Sequence, residues 1–246
     1  ESRGMRRIAL LLAGTFWLLS QPGQAQDPQF SQYYAAPLYL NPAFAGSTEL
    51  SRAGLNFRSQ WPSLEASFTT ASVYFDHFFE DFNSGVGVIL TGDREGLSGL
   101  QSISMGVQYA YQLRLTDYLT FRPGVQAAFY NRDLNFDKLL FGDQLNETGV
   151  ISPVTGETLN TGLSKSFFDL TLGGILYSDN FYFGYSAGHV TTPNQSITGE
   201  VSRLQMKHSF HGGYRFMLPA GFGRVGEDEK VRELSITPTA QYKRQG

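Results

Sequence analysis

Two neighbouring stretches of this chain alternate in hydrophobicity for longer than a soluble sheet requires. Between Gln101 and Leu115, the residues Ile103, Met105, Val107, Tyr109, Tyr111, Leu113 and Leu115 fall on one side. Ser102, Ser104, Gly106, Gln108, Ala110, Gln112 and Arg114 fall on the other. A period of two puts alternate side chains on opposite faces of a strand. Tyr118 to Arg132 repeats the pattern, with Leu119, Phe121, Val125, Ala127 and Phe129 opposed to Thr120, Arg122, Gly124, Gln126, Ala128 and Tyr130. Only Thr116 and Asp117 separate the two, which predicts a tight hairpin. Further strands are predicted at Arg52–Ser59, Ser67–Phe79, Gly85–Gly92, Phe167–Ser178, Phe181–Val190, Gln205–Leu218 and Val231–Lys243, nine in all. Strands of soluble sheets average about 5–6 residues. A tilted strand crossing a bilayer needs roughly 9–11. A soluble β-sandwich also alternates, but its strands are shorter and its inward positions more apolar.

Links between these strands alternate between short, at Asp117 and Asp179, and long, at Asp133–Lys165 and Thr191–Leu204. Barrels of the bacterial outer membrane have this asymmetry, with short periplasmic turns and long outer loops. Gly, Ser, Gln and Arg on the polar faces suit a wet lumen. Tyr109, Tyr111, Phe129, Tyr130, Tyr177, Phe181 and Tyr182 suit the aromatic girdles at its rims. The chain is 14% aromatic, holds 27 glycines and is only 17% charged. The predicted fold class is therefore all-β, an antiparallel transmembrane β-barrel of the bacterial outer membrane.

The start of the chain predicts export. Arg6 and Arg7 follow Met5, Ile8 to Leu19 is nearly all apolar, and Gly23 and Ala25 supply the small residues before a cut. These are the parts of a secretory signal peptide, with cleavage expected after Ala25. Twelve apolar residues fall short of the about 20 that a spanning helix needs. Glu1 to Gly4 precede a plausible start methionine, Met5, and are read as upstream sequence or a mis-set start. Residues 1–25 are read as upstream residues and signal peptide, 26–50 as an aromatic, Pro-rich segment, and 51–246 as barrel strands. The chain has 19 basic and 22 acidic residues, and removing Glu1, Arg3, Arg6 and Arg7 with the leader leaves a net charge of −5. Nucleic acid is not an expected partner, since it requires a basic face. With no cysteine there is neither a disulfide framework nor a thiolate metal site.

Asp27 to Ser47, "DPQFSQYYAAPLYLNPAFAGS", fits neither regular structure. Pro28, Pro37 and Pro42 lack the N–H that a helix interior or a central strand must donate. The segment is expected at the periplasmic end or against the barrel wall, with its tyrosines at the interface. Entry into the lumen as a plug is the alternative. Asn41-Pro42 and Ala45-Gly46 would turn the chain into the first strand. At the other end, Val231–Lys243 has no following partner and the strand count is odd, whereas single-chain bacterial barrels close with an even number. A C-terminal truncation, and so an incomplete barrel, is expected.

No catalytic, cofactor or metal residue is expected. His208 and His211, three apart, would lie on opposite faces of a strand. His77 and His189 have serines nearby in sequence, but nothing in the sequence sets a nucleophile within reach of a base. Gly85–Gly87 and Gly173-Gly174 lack the Lys and helix of a phosphate loop and are read as permitting barrel curvature. Arg114, Arg122, Gln126, Lys207 and Arg215 are read as lumenal, lining either a pore or a plugged wall.

Four ordered motifs resemble the PorP/SprF family, outer-membrane proteins of the type IX secretion system in Bacteroidetes. The first is Asp27, Pro28, Phe30, Ser31, Gln32 and Tyr33, followed by Asn41, Pro42, Ala43, Phe44, Ala45 and Gly46. "RSQWPSLEASFTTASVYFD" carries Trp61, "GYSAGHVTTPNQSI" carries His189, Pro193 and Asn194, and "HSFHGGYRF" follows. The resemblance implies a non-catalytic barrel that binds, helps secrete and anchors a large exported partner at the cell surface, such as a gliding adhesin. The implied partners are a secreted protein with a C-terminal sorting domain, secretion components including a periplasmic link, and outer-membrane lipid. The motif residues are implied to be structural or partner-facing. A passive outer-membrane porin for small solutes is the alternative, with ion conductance and no obligate partner.

Overall fold

The computed structural model describes residues 27–63, 67–96, 99–134, 139, 141–146, 149–150, 152, 155–156, 164–197, 200–218 and 234–246. The expected signal peptide and its cleavage site lie outside these residues. The long strands are β1 (Arg52–Gln60), β2 (Phe68–Phe79), β3 (Ser84–Glu95), β4 (Leu100–Tyr111), β6 (Leu119–Leu134), β9 (Ser164–Tyr177), β10 (Phe181–Gly188), β11 (Lys207–Tyr214) and β14 (Thr239–Gln245). Short ones are β5 (Leu113–Thr116), β7 (Leu145–Asn146), β8 (Gly149–Val150), β12 (Phe216–Met217) and β13 (Ser235–Ile236). One antiparallel sheet runs β1-β2-β3-β4-β6-β9-β10-β11-β14, with β5 paired to β6, and it curls into a half-barrel. Along nine alternating strands the two edges, β1 and β14, run in the same direction, and they are not paired with each other among the described residues.

The register follows the alternation in sequence. Val88 faces Val107 across β3 and β4, and Val107 faces Ala127 across β4 and β6. Val73, Phe75, Val88, Leu90, Ile103, Met105, Val107 and Leu172 are all exposed on the convex face. On the concave face Thr70, Ser72, Asp76, Gln108, Arg122, Asp169, Ser186 and Ser209 are buried. Apolar outside and polar inside is the reverse of a soluble core, and lipid is the solvent that makes such a wall stable. No described helix is long and apolar enough to cross a membrane.

Three predicted strands break, each for a local reason. Gln112 interrupts Gln101–Leu115 because its N–H bonds Asn83 O at 2.7 Å and its amide oxygen accepts from Arg122 at 2.5 Å, outside the ladder. Gln205–Leu218 divides at Arg215, whose N–H reaches Asn180 O at 2.6 Å. Val231–Lys243 is interrupted at Thr237 and Pro238, where proline has no N–H to donate, and residues 231–233 lie outside the described chain. The aromatic girdle is smaller than predicted. Tyr109, Tyr111, Phe129 and Phe181 face outward, but Tyr130 stacks on Phe167 inside the lumen at 5.2 Å. Tyr177 and Tyr182 line a lumenal pocket with Arg122 and Arg215. Arg114, expected in the lumen, is exposed on β5.

Candidate functional site

The segment from Asp27 to Ser47 lies inside the concave face and fills its lower part. It forms three short helical turns, Tyr33–Ala35, Pro37–Leu40 and Pro42–Phe44, between Asp27 at the long-loop end and the start of β1 at the short-turn end. Pro37 and Pro42 each start a turn, where the missing N–H costs nothing. Asn41 accepts from Ala43 N at 2.9 Å, capping the last turn, and donates to Gly174 O at 3.2 Å and Tyr185 O at 3.0 Å. One side chain thus folds the segment and fixes it to β9 and β10.

The wall grips the backbone of this plug. Gln108 donates to Leu38 O at 2.7 Å, Ser186 to Leu40 O at 3.0 Å, and Arg122 to Ala43 O at 3.3 Å and Ala45 O at 2.6 Å. Arg52 reaches Phe44 O at 3.1 Å and forks onto Asp76, whose other bond comes from Gly46 N at 2.7 Å. Carbonyls that no regular structure satisfies are therefore satisfied by lumenal side chains. The wall glycines make room for this. A Cβ on Gly124 would stand 2.4 Å from Ala43 N, and one on Gly173 2.0 Å from Asn41 Oδ1. Gly85 meets Ala45, and Gly87 meets Leu38. Of the glycines read as permitting curvature, Gly85, Gly87 and Gly173 are close-approach positions for the plug, while a Cβ on Gly174 would meet Phe121 of the wall. Gly46, at φ +68°, makes the left-handed turn that passes Gly85.

Above the plug the lumen opens into a cavity of about 890 Å³, lined near its mouth by Arg58, Trp61, Phe68, Glu95 and Arg132. Its floor holds a half-buried charge cluster. Asp27 Oδ2 accepts from His189 Nε2 at 2.6 Å and Lys207 Nζ at 2.5 Å. Gln245 Nε2 approaches Oδ1 at 3.4 Å, and Asp27 N–H donates to Gln245 Oε1 at 3.1 Å. His189 Nδ1 bonds Asp169 at 2.8 Å, and Thr191 donates to the other oxygen of Asp169 at 2.7 Å. With a carboxylate on each ring nitrogen, His189 is an imidazolium. Burial pushes the Asp27 pKa up, but the Lys207 ammonium and the His189 imidazolium outweigh it and hold the carboxyl well below its usual range. For His189 burial acts downward, and Asp169 and Asp27 prevail to hold it above the ordinary histidine value.

These shifts set a pH window. Asp27 contributes stability at pH above about 4 that is lost only as pH falls through its depressed pKa. His189 contributes fully below about 6.5 and loses its share as pH rises through its elevated pKa. Protease protection of residues 27–35 is expected to be greatest between about pH 4 and 6.5 and to decline toward alkaline pH. His189→Gln should flatten the alkaline limb; an unchanged pH profile in that variant would show that His189 does not hold the segment.

Of the motif residues, Asp27 and His189, 162 positions apart, meet directly. Pro28 offers its carbonyl to Tyr39 OH at 2.6 Å, and Phe30 packs edge-on against Tyr39 at 5.1 Å. Ser31 and Gln32 are exposed, and Tyr33 OH donates to Thr239 at 2.8 Å. Asn41, Pro42, Ala43 and Gly46 form the lower plug. Trp61 is apart from it, 55% exposed with φ +53°, packed on Phe68 at 5.6 Å. Pro193 and Asn194 shape the β10–β11 loop, where Asn194 accepts from Ser196 N and Ser202 N at 3.2 and 2.9 Å. Asp76, Gln108, Asp169 and Gln245 were not singled out from sequence; their signal was a buried-type polar residue on the inward phase of a strand.

The histidines bear on chemistry. His208 and His211 take opposite faces, and no group of metal-binding residues occurs among the described residues. Folding does bring Ser51 Oγ to 2.8 Å from His77 Nδ1, a serine–histidine contact the sequence reading did not foresee. The pair is exposed, and the ring's other side packs on Phe79 at 4.6 Å. Among the described residues no carboxylate forms an ion pair with His77.

A curled sheet with a lipid-type exterior, a polar lumen and an N-terminal plug defines a plugged transmembrane β-barrel protein. The sequence profile of the type IX secretion system membrane protein PorP/SprF family matches residues 23–246, and the chain belongs to that family. No curated protein and no solved structure matches it.

Proposed function

We propose that this protein is a non-catalytic outer-membrane barrel that binds and anchors an exported partner of the type IX system, such as a gliding adhesin. Family membership makes it a membrane component of that secretion system. The observation that carries the finer reading is the division of the lumen. The plug occupies the short-turn end, tied to the wall by Arg122, Gln108, Ser186 and Asp76, while the cavity faces the long loops. A fixed plug opposes passive flow of solutes, and a polar and aromatic recess at the loop end suits capture of a protein segment. Long loops of outer-membrane barrels face outward, which orients the recess to the cell surface.

Tagged protein purified from outer membranes should bring down a large secreted protein with a C-terminal sorting domain, identified by mass spectrometry. It should also conduct poorly in a planar bilayer. A clean, open, ion-conducting barrel without a partner would favour the porin instead.

A further inference from the structure

We propose that the pocket formed by His189, Lys207 and Gln245 is a carboxylate receptor, that Asp27 is its tethered resident, and that a carboxylate of the exported partner exchanges with it. The inference rests on the anchor reading above. It starts from the ownership of the donors. His189 follows β10, Lys207 opens β11 and Gln245 ends β14, so three separate pieces of wall converge on one carboxylate. His189 and Gln245 have partners besides Asp27, Gln245 Nε2 reaching Gln205 O at 3.5 Å, while Asp27 is the hydrogen-bond partner of Lys207. His189 is held by Asp169, and Asp169 by Thr191. Lys207 lies 5.7 Å over the Tyr39 ring. The receptor is therefore built into the wall and opens on the cavity that Asp27, His189, Lys207 and Gln245 help to line.

The segment that brings Asp27 is held differently from the plug beneath it. The backbone from Leu38 to Gly46 is held by wall side chains and passes close against wall glycines. In residues 27–35, Ser31, Gln32, Tyr34 and Ala35 are exposed and only Phe30 is buried. The other attachments are polar: Tyr39 OH to Pro28 O, Arg58 to Gln29 O and Tyr33 OH to Thr239. Pro28, Gln29, Tyr39 and Arg58 line the cavity, where water can replace the bonds between them. Asp27 is thus a carboxylate on a short, releasable strap above a fixed anchor. An incoming partner that inserts a carboxylate would free the strap, leaving the lower plug seated.

The chain has no cysteine, so a nitroxide on Ser31→Cys reports the strap alone. The probes are three short N-acetylated Gly-Ser peptides, added to the full-length protein in detergent. One has a free C-terminal carboxylate, one a C-terminal amide, and one an amide with a single internal Glu. The expected result is that the free-acid peptide mobilises the label at millimolar concentration and the amide does not. The Glu peptide separates a side-chain source from a chain-terminal one, and a response to either carboxylate supports the receptor. Asp27→Ala should mobilise the label without peptide and tighten peptide binding by about tenfold or more, because a tethered competitor acts at millimolar or higher effective concentration. Asp27→Asn keeps the shape and should do the same, and Lys207→Met should abolish binding. No label response to any carboxylate, an equal response to the amide, or no tightening in both Asp27 variants would overturn the proposal. If the partner still co-purifies in that case, the receptor fails and the anchor stands. If no partner co-purifies but free acid still releases the strap, the anchor fails and the receptor stands.

Discussion

Gly85→Ala is expected to lift the lower plug off the wall. A Cβ at Gly85 would sit 1.9 Å from the carbonyl oxygen of Ala45 and 2.5 Å from its carbon. Both are backbone atoms, so no side-chain rotation relieves the collision. Moving the Ala45–Gly46 corner breaks the bond from Gly46 N to Asp76 and the bond from Arg122 to Ala45 O, at 2.7 and 2.6 Å. Overpacking costs about 1–3 kcal/mol. Each lost hydrogen bond to a charged group adds about 1.5–3 kcal/mol. A loss of roughly 4–9 kcal/mol is therefore expected, read as a lower urea midpoint for the detergent-solubilised protein and as new protease cuts between residues 37 and 50. Gly92→Ala is the control, since nothing lies within 4 Å of its Cβ. Equal behaviour of the two variants would mean that the plug does not occupy this position.

Arg122→Ala should be as damaging through the opposite fault, a void of donors. Arg122 is 1% exposed and serves Ala43 O, Ala45 O and Gln112 Oε1, while its guanidinium carbon lies 5.5 Å from the Phe78 ring centre. Truncation removes the donor from three acceptors at once. Each buried acceptor left unsatisfied costs about 1–3 kcal/mol, so a loss of roughly 3–9 kcal/mol is expected. Lysine should recover less than half of this, because a single ammonium cannot fork to three acceptors as a planar guanidinium does. The measurement is the unfolding midpoint of both variants in detergent, with protease access to the plug as the structural readout. Full rescue by Arg122→Lys would show that charge alone, and not the fork, holds the plug.

Much of the wall was legible because its cause is local. The alternation of Ile103, Met105 and Val107 with Ser104, Gly106 and Gln108 already contains the choice of face, since a strand has no other way to separate them. The strand breaks at Gln112 and Pro238 were half visible. Proline announces itself, but Gln112 leaves the ladder only because Asn83 and Arg122 are waiting for it. Gly85 and Gly173 were legible as permitting curvature, and the close approach of the plug was not. Gly85, Gly124 and Gly173 look like flexible points until Ala45, Ala43 and Asn41 are seen against them.

By itself, then, the sequence determined the all-β class, the two-faced strands, the lipid-type exterior and the irregular nature of Asp27–Ser47, because periodicity, chain stiffness and missing N–H groups act between neighbours. Only the tertiary structure decided that the irregular segment is a plug and that Asp27 joins His189, Lys207 and Gln245. Those partners are separated by between 162 and 218 positions, and what unites them is the curvature of the sheet and the space its glycines leave. Burial, convergent charge and close backbone approach are properties of that shape, and no local pattern encodes them.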